Sequence, residues 1–414
     1  MLKSILKSVA SESINSLGRT KRLFTNRPDK VPQVGLLVPA WQGSLGDEAV
    51  ITAATEFLKR DRNAEVTLIG FDRGAPWNSI KLIDHRIGIP DFFTTGGWPE
   101  RRRMTSQFCK FDQFFLLGTD MLDGHYTDWH SSGLLTIARQ AAMSGIPTNA
   151  VGFSLKDCPA EQAIQGLRAL AACRSTTMCI RDQVSLTRYK KFVAGNAELT
   201  ADPAFLLEPD ASKHGARSWV RSQSSEGNLC LGLNLSSHVY DSLSESEQTA
   251  ILVAIRDSIL ALAEKSKPIS VLLIPHDIRI DFDDVRLCKL VQHAIHDLPG
   301  VESYVMQTPY SPGIIKSIVA ELDFVLSSRM HLAIACLGAG TPVGCITYQG
   351  KFEGLYQHFG ISDCTISPED AMSSPNLTEF LIQRVLTRAS IASRIADSIP
   401  GVTRLAQRNF EFTG

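Results

Sequence analysis

Short apolar runs along this chain alternate with longer segments in which apolar residues recur every three or four positions. The short runs predict buried strands because turn residues bound them, and the longer segments predict amphipathic helices. In the first half the predicted strands are 34–39, 65–71, 113–117, 148–153 and 178–181, and the predicted helices include 48–60 and 161–172. Such alternation is typical of βαβ units in a parallel sheet.

The same pattern starts again after a polar stretch, 210–228, that is rich in Ser, Lys, Arg and Gly. In the second half the predicted strands are 229–235, 269–275, 301–306, 324–327 and 343–348, and the predicted helices are 244–265, 285–297, 312–321, 330–339 and 377–393. The sequence therefore predicts two α/β halves without close sequence repetition.

A chain of 414 residues exceeds the size at which one hydrophobic core keeps growing, so we expect two domains. The predicted division is a basic tail or helix at 1–30, an N-terminal domain at 31–212, a connection at 213–228, and a C-terminal domain with terminal helices at 229–414. Ligands of open parallel sheets collect at the carboxyl ends of strands, so the two sheets predict a shared interdomain cleft.

Composition narrows the class of protein. A formal net charge of -1 gives no global attraction to nucleic acid, so we expect no nucleic-acid partner. Nine cysteines without a CxxC pair predict reduced thiols and a cytoplasmic location. No apolar run is long enough to span a bilayer, and the N-terminus lacks the pattern of a secretory signal.

The first 30 residues have two interpretations. Apolar residues recur at helical spacing from Leu2 to Val9, and basic residues follow from Arg19 to Lys30. This pattern suits peripheral contact with the inner, anionic face of a membrane. A solvated tail, or a helix packed on the body, is favoured because the apolar stripe is short. The oligomeric state is not predicted.

The most distinctive local feature lies where the predicted strand 324–327 runs into a helix rich in small residues. Ser328, Arg329 and His331 stand at this junction. A helix N-terminus suits an anion, a guanidinium matches phosphate or carboxylate, and an imidazole titrates near neutral pH. An equally favoured interpretation is that Ser327 or Ser328 caps the helix and Arg329 pairs with a surface carboxylate.

Other candidates also follow predicted strands. Arg181 ends one strand and would complete a two-arginine clamp, although an ordinary ion pair with a neighbour is common there. Asp47 follows Gly46 in the first strand-to-helix turn and either caps the helix or contacts an acceptor hydroxyl. The remaining candidates for acceptor contacts are Asp120, Asn234 and His276. His276 has no further ligands at zinc spacing, so no metal site is predicted.

Taken together, these residues resemble the polysaccharide pyruvyl transferase family, with gaps, from about Val34 to Gly360. The resemblance is carried by Gly46-Asp47, Ile180-Arg181-Asp182 with Ser185, Asp202-Pro203-Ala204-Phe205, Ser328-Arg329-Met330-His331, Gly340-Thr341-Pro342-Val343 and Tyr348. It implies two Rossmann-like domains in the GT-B arrangement. It also implies transfer of pyruvate from phosphoenolpyruvate to paired hydroxyls of a sugar in a polysaccharide or its lipid-linked precursor, which forms a ketal.

In this resemblance Arg181, Arg329 and His331 match the donor-binding and catalytic positions, and Ser328 belongs to the donor site. Phosphoenolpyruvate is a co-substrate, and no cofactor is implied. The chain departs from the family pattern at Ser44 and at 118–120, on the side expected to face the acceptor. Two alternatives stay open: a GT-B glycosyltransferase with a nucleotide-sugar donor, and a non-catalytic glycan-binding protein of the same fold.

Overall fold

The computed structural model describes residues 31–39, 43–70, 77, 80–89, 98–125, 127–265, 268–279, 282–308, 310–348 and 350–412. The described chain forms two compact units. Unit 1 contains 31–39, Val50–Leu206 and 404–412, and unit 2 contains Gly43–Ala49 and Leu207–Thr403. The predicted N-terminal tail or helix, 1–30, lies outside the described residues.

Unit 1 is built on a parallel sheet of seven strands in the order β3-β2-β1-β4-β5-β6-β7. The strands are β1 Gln33–Leu37, β2 Glu65–Gly70, β3 His85–Gly88, β4 Gln113–Leu117, β5 Thr148–Phe153, β6 Thr176–Ile180 and β7 Ala197–Leu199. The helices are α1 Leu45–Arg62, α2 Trp98–Phe108, α3 Asp128–Met143, α4 Glu161–Ala171 and α5 Gln183–Phe192, with a 3₁₀ turn at Pro203–Leu206. The start of α1, up to Ala49, belongs to unit 2. The strand order reverses between β1 and β4, which is where such sheets bind ligands.

Unit 2 is built on a parallel sheet of six strands in the order β10-β9-β8-β11-β12-β13. The strands are β8 Leu229–Asn234, β9 Ile269–Leu273, β10 Val301–Val305, β11 Phe324–Ser327, β12 Val343–Ile346 and β13 Thr365–Ile366. The helices are α6 Gly215–Ser225, α7 Ser237–Tyr240, α8 Glu245–Lys265, α9 Asp284–Ile295, α10 Pro312–Val319, α11 Met330–Ala339, α12 Phe352–Gln357, α13 Pro368–Ala371, α14 Ser374–Leu386 and α15 Arg388–Arg408. The strand order reverses between β8 and β11.

The predicted α/β class with two parallel sheets is confirmed, and each predicted strand is present within about two residues. Three short strands at or near sheet edges, β3, β7 and β13, were not predicted. They contain two to four residues and are only partly buried, so their apolar runs are too short to distinguish from a turn.

The prediction of a connection at 213–228 is wrong, because most of this segment is helix α6. The side chain of His214 caps the helix by accepting a hydrogen bond from the backbone N–H of Ala216. Ala216 and Val220 are fully buried, while polar residues cover the outer face. The polar composition therefore belongs to the solvent-exposed side of a packed helix. The long segment of unit 2 starts before this helix, at Leu207.

The C-terminal boundary also differs from the prediction. The predicted helix 377–393 is two helices, α14 and α15, and α15 continues until residues 404–412 join unit 1. Asn409 is fully buried there. Its Oδ1 accepts a hydrogen bond from the Gly152 backbone N–H at 3.0 Å, and its Nδ2 donates to the Ala201 carbonyl at 2.7 Å. Satisfying these buried backbone groups ties the end of the chain to the first sheet.

We expect Asn409→Ala to destabilise unit 1. The substitution leaves the buried Gly152 N–H and Ala201 carbonyl without these partners, and each unsatisfied buried group costs about 1–3 kcal/mol. The urea midpoint of unfolding should fall accordingly. Arg404→Ala, an exposed change on the preceding helix α15, is the control and should shift the midpoint little. Equal midpoints for the two variants would contradict the role of Asn409.

Candidate functional site

The carboxyl ends of the central strands of unit 2 gather most of the candidate residues. Asn234 ends β8, and Ser327, which ends β11, is its partner in the register of these two strands. Arg329 and His331 follow β11, and His276 follows β9. The structure therefore brings Asn234, His276, Arg329 and His331 to one edge of one sheet, on either side of the reversal in strand order.

Ser328 is fully buried at this junction, and it does not cap the following helix. Its Oγ accepts a hydrogen bond from the Ser236 backbone N–H at 2.6 Å. The N-cap position of α11 is Arg329, whose side chain makes no capping bond. Ser328 thus connects the loop after β8 to the loop after β11, and the guanidinium of Arg329 is directed to other partners.

A carboxylate that the sequence analysis missed, Asp284, is the centre of the polar network. It is fully buried at the start of α9. Its Oδ1 accepts hydrogen bonds from Arg329 Nη2 at 2.7 Å and from the Ser237 backbone N–H at 3.2 Å. Its Oδ2 accepts from Arg329 Nε, Asn234 Nδ2 and the His276 backbone N–H, each at 3.1 Å. One side chain thus joins the segments that follow β8, β9 and β11.

The Arg329 guanidinium is buried and bound to two carboxylates. Nη2 also donates to Ser237 Oγ at 3.1 Å, and Nη1 lies 3.3 Å from Asp277 Oδ2. Burial alone would lower the pKa of Arg329, but Asp284 and then Asp277 raise it, so the group stays charged. Asp277 in turn binds Arg279, with 2.6 Å between Arg279 Nη2 and Oδ2. Two guanidiniums and two carboxylates therefore balance each other in the interior of unit 2.

The Gly46-Asp47 turn packs against the same residues. Ser44 forms a β-bridge with Asp277, and a Cβ atom added at Gly46 would lie 2.4 Å from Nδ1 of His331. Only glycine therefore allows the backbone to approach the imidazole this closely. Asp47 is half-buried, and its charge is among those that raise the pKa of Arg279. The sequence placed these two motifs far apart and gave no signal of their contact.

His276 is buried beside this network as a neutral imidazole. Burial lowers its pKa well below the ordinary value, and the neighbouring charges of His331 and Arg329 lower it further. A neutral imidazole has one ring nitrogen that can act as an acceptor, and it lacks the additional proton that a charged imidazolium could donate. In the part of the chain that the structure describes, no group of three or more His, Cys, Asp or Glu residues is placed to hold a metal ion.

Arg181 lies in unit 1, where it follows β6. It is buried, with Nη1 2.9 Å from Asp202 Oδ2 and Nη2 2.7 Å from Ser154 Oγ. Asp182 caps α5 by accepting from the Ser185 N–H at 2.6 Å. The two motifs at 180–185 and 202–205 are therefore parts of one polar network at the carboxyl edge of the first sheet.

Asp120 also lies in unit 1, half-buried in the turn after β4. The preceding residue, Thr119, has a φ of +45°, which is a strained conformation for a β-branched side chain. Its carbonyl accepts a hydrogen bond from the Ser154 N–H at 2.8 Å. Its hydroxyl is buried with no hydrogen-bond partner among the described residues. The turn that carries Asp120 is thus held in one shape by the network that also binds Arg181.

A family model of polysaccharide pyruvyl transferases matches residues 45–350. The chain belongs to the polysaccharide pyruvyl transferase family. The match includes Arg181, Arg329 and His331, and it begins in the turn that contains Gly46. Comparison with curated protein sequences found no significant match.

Solved structures share the fold of this pyruvyl transferase family member. A putative UDP-N-acetylglucosamine 2-epimerase from Listeria monocytogenes has a TM-score of 0.58 and 11% identity, with 92% of this chain and 94% of that chain covered. Anabaena Alr3699/HepE in complex with UDP-glucose has a TM-score of 0.54 and 14% identity, with 91% and 98% covered. WaaG, a glycosyltransferase involved in lipopolysaccharide biosynthesis, has a TM-score of 0.51 and 13% identity, with 92% and 100% covered.

These identities are low, so the likeness shows the fold alone, which is that of GT-B glycosyltransferases and epimerases. The predicted pair of Rossmann-like domains of the GT-B class is confirmed. Family and fold together support a transferase that acts in polysaccharide modification. Within the described residues, no helix is both long enough and apolar enough to cross a membrane.

We expect Gly46→Ala to displace the imidazole of His331. The new Cβ would lie 2.4 Å from Nδ1, so either the ring or the turn must move. The imidazole signals of His331 in an NMR spectrum should shift, and the protein should unfold at a lower temperature. Gly401→Ala is the matched control, because nothing lies within 4 Å of a Cβ there. Unchanged His331 signals in Gly46→Ala would contradict the contact.

Because His276 is buried in its neutral form, we expect the free energy of unfolding to fall in acid. The unfolded imidazole titrates near its ordinary pKa of 6.5, whereas the folded pKa is well below it, so the unfolded state binds more protons below that pH. Stability is fully present above about pH 6.5 and falls by up to about 1.4 kcal/mol per pH unit as the pH drops. Unfolding free energies of His276→Gln should show a shallower slope between pH 6.5 and 5. His296→Gln, on the surface, should keep the original slope.

Proposed function

We propose that this family member transfers a pyruvyl group from phosphoenolpyruvate to paired hydroxyls of a sugar in a polysaccharide or its lipid-linked precursor, and so forms a cyclic ketal. The observation that carries the proposal is the junction of β11 and α11. There Arg329 stands at the N-cap of a ten-residue helix, and His331 stands in its first turn against the Gly46 backbone. The family match supports the same reaction class.

The donor has the chemistry that such a junction favours. Phosphoenolpyruvate combines a carboxylate with a phosphate of about −1.5 to −2 charge. The N-terminus of α11 favours negative charge, and guanidinium groups bind phosphate and carboxylate oxygens in defined directions. Arg329 and Ser328 belong to unit 2, and Arg181 is proposed as a second donor-binding guanidinium from unit 1.

In the proposed reaction, protonated His331 gives its proton to the methylene carbon of phosphoenolpyruvate, and positive charge develops at C2. One sugar hydroxyl attacks C2 and forms a C–O bond while its proton passes to a base. Phosphate leaves with the electrons of the C2–O bond, and the second hydroxyl attacks C2, loses its proton and closes the ketal. The products are the pyruvylated sugar and inorganic phosphate.

The acceptor side is assigned to Asp47, Asp120, Asn234 and His276. Burial and the charges of His331 and Arg329 oppose protonation of His276, so it is proposed as a hydrogen-bond partner of the acceptor rather than as the base. Asn234 donates both its Nδ2 hydrogen bonds inside the protein, to the Ile274 carbonyl and to Asp284. Its Oδ1 is buried with no hydrogen-bond partner among the described residues, so we propose that it accepts from a sugar hydroxyl only after a local movement exposes it.

A second candidate is a glycosyltransferase with a nucleotide-sugar donor, because one protein of the same fold is in complex with UDP-glucose. The two functions differ in the leaving group. A non-catalytic glycan-binding protein is less well supported, because Arg329 is held in a built polar network and the backbone at Gly46 is shaped to the imidazole of His331.

The decisive experiment gives the purified full-length chain phosphoenolpyruvate together with a panel of galactosides, mannosides and lipid-linked sugars. We expect phosphate release that depends on the sugar, and a pyruvylated product in the mass spectrum. A parallel reaction contains UDP-glucose in place of phosphoenolpyruvate. Transfer from the nucleotide sugar, without transfer from phosphoenolpyruvate, would overturn the proposal in favour of the glycosyltransferase.

We expect His331→Ala to lower kcat by about 10²-fold or more, because the general acid is lost, while the affinity for phosphoenolpyruvate changes less. Steady-state kinetics and calorimetric binding measure the two effects separately. His293→Ala, an exposed histidine on α9, is the control and should keep full turnover. A His331→Ala protein with the turnover of the control would remove His331 from the acid role.

A further inference from the structure

Asp284 takes no part in the proposed chemistry, yet its carboxylate accepts five hydrogen bonds. Its Oδ1 accepts two hydrogen bonds and its Oδ2 accepts three. An ionised carboxylate has about four acceptor positions, so these oxygens are saturated. Asp284 therefore has no remaining lone pair with which to bind a metal ion or to accept a proton from a substrate.

The contact with Arg329 fixes a plane as well as a distance. Nε and Nη2 lie on one edge of the guanidinium, and they donate to different oxygens of Asp284 at 3.1 and 2.7 Å. Two parallel hydrogen bonds of this kind hold a guanidinium in one orientation. The third nitrogen, Nη1, lies on the other side of the group, 3.3 Å from Asp277.

The carboxylate is itself held from three directions. The Ser237 N–H follows β8, the His276 N–H follows β9, and the amide of Asn234 ends β8. These donors belong to the edge of the sheet where strand order reverses, so Asp284 cannot move without the segments that surround the site. Through Asp284, the guanidinium of Arg329 is therefore held in a fixed position relative to the sheet, although its own side chain is flexible.

We propose that Asp284 is the positioning residue of the anion site in unit 2: it orients Arg329 so that the second hydrogen of Nη1, the one not directed at Asp277, meets an oxygen of the anionic substrate. The proposal deepens the proposed function and rests on it for the identity of the anion. Because Asp284 also neutralises Arg329, recognition depends on the direction of the Nη1 hydrogen bonds more than on net charge.

The test is a double-mutant cycle in the full-length protein, with Asp284→Asn, Arg329→Gln and the double variant, and calorimetric titration with phosphoenolpyruvate. We expect each single change to weaken binding at least tenfold. The double variant should bind no more weakly than the weaker single variant, because both changes remove the same interaction between Asp284 and Arg329. Where transfer is observed, KM for phosphoenolpyruvate should rise more than kcat falls. Additive losses, or an unchanged affinity in folded Asp284→Asn, would overturn the proposal.

Asp283→Asn is the matched control. Asp283 is the adjacent carboxylate, and it caps α9 by accepting from the Val285 N–H at 2.8 Å. Asn keeps an oxygen that can accept this bond, so the change should alter stability little and leave the affinity for phosphoenolpyruvate within twofold of the original. A loss of affinity in Asp283→Asn equal to that in Asp284→Asn would show that any lost carboxylate at the start of α9 has the same effect, and would overturn the positioning role.

A second measurement does not depend on the donor. In protein labelled with ¹⁵N at arginine, the Arg329 Nε–H should exchange slowly with water, since it is buried and bound to Asp284. Ser237→Ala, which removes a partner of Nη2 and keeps the carboxylate, is a milder variant if Asp284→Asn does not fold. It should weaken binding two- to threefold and leave the Nε–H protected. Fast exchange of this proton in the original protein would overturn the positioning role of Asp284. Slow exchange in a protein that does not bind phosphoenolpyruvate would support the positioning role and would contradict phosphoenolpyruvate as the donor.

Discussion

A guanidinium buried at the carboxyl edge of a parallel sheet has to be paired, and both units meet this requirement in the same way. In unit 1, Arg181 binds Asp202 and the hydroxyl of Ser154. In unit 2, Arg329 binds Asp284 and the hydroxyl of Ser237. Each pair ties together segments that follow different strands, so the shape of each sheet edge depends on one buried ion pair.

This pairing bears on the anion site that we propose at the edge of unit 2. The charges of Arg329 and Arg279 are balanced by Asp284 and Asp277, and the charge of Asp47 also acts on Arg279, so the cluster has no excess of positive charge. A bound anion would meet hydrogen bonds of fixed direction, the N-terminus of α11 and the imidazole of His331. Such a preorganised site suits a transferase, because the protein has little to rearrange when charge develops on the substrate.

The two histidines at this edge have different surroundings. His276 is fully enclosed, and burial holds it neutral. His331 is half-buried and packed against the Gly46 backbone. In the proposed reaction His331 serves as the acid, and His276 stays neutral throughout. This difference arises from packing alone, since both side chains are the same and both follow buried strands.

The sequence by itself determined the two parallel sheets, because strand-length apolar runs and helical periodicity are local signals that tertiary contacts did not override here. It also placed Asn234, His276, Arg329 and His331 at strand ends, and parallel strands bring such ends to one edge. Only the tertiary structure decided the partners: Asp284 with Arg329, Gly46 with His331, and Asn409 with the first sheet. These contacts join residues from 45 to more than 250 positions apart, and their identity depends on which buried polar groups must be satisfied once the chain is packed.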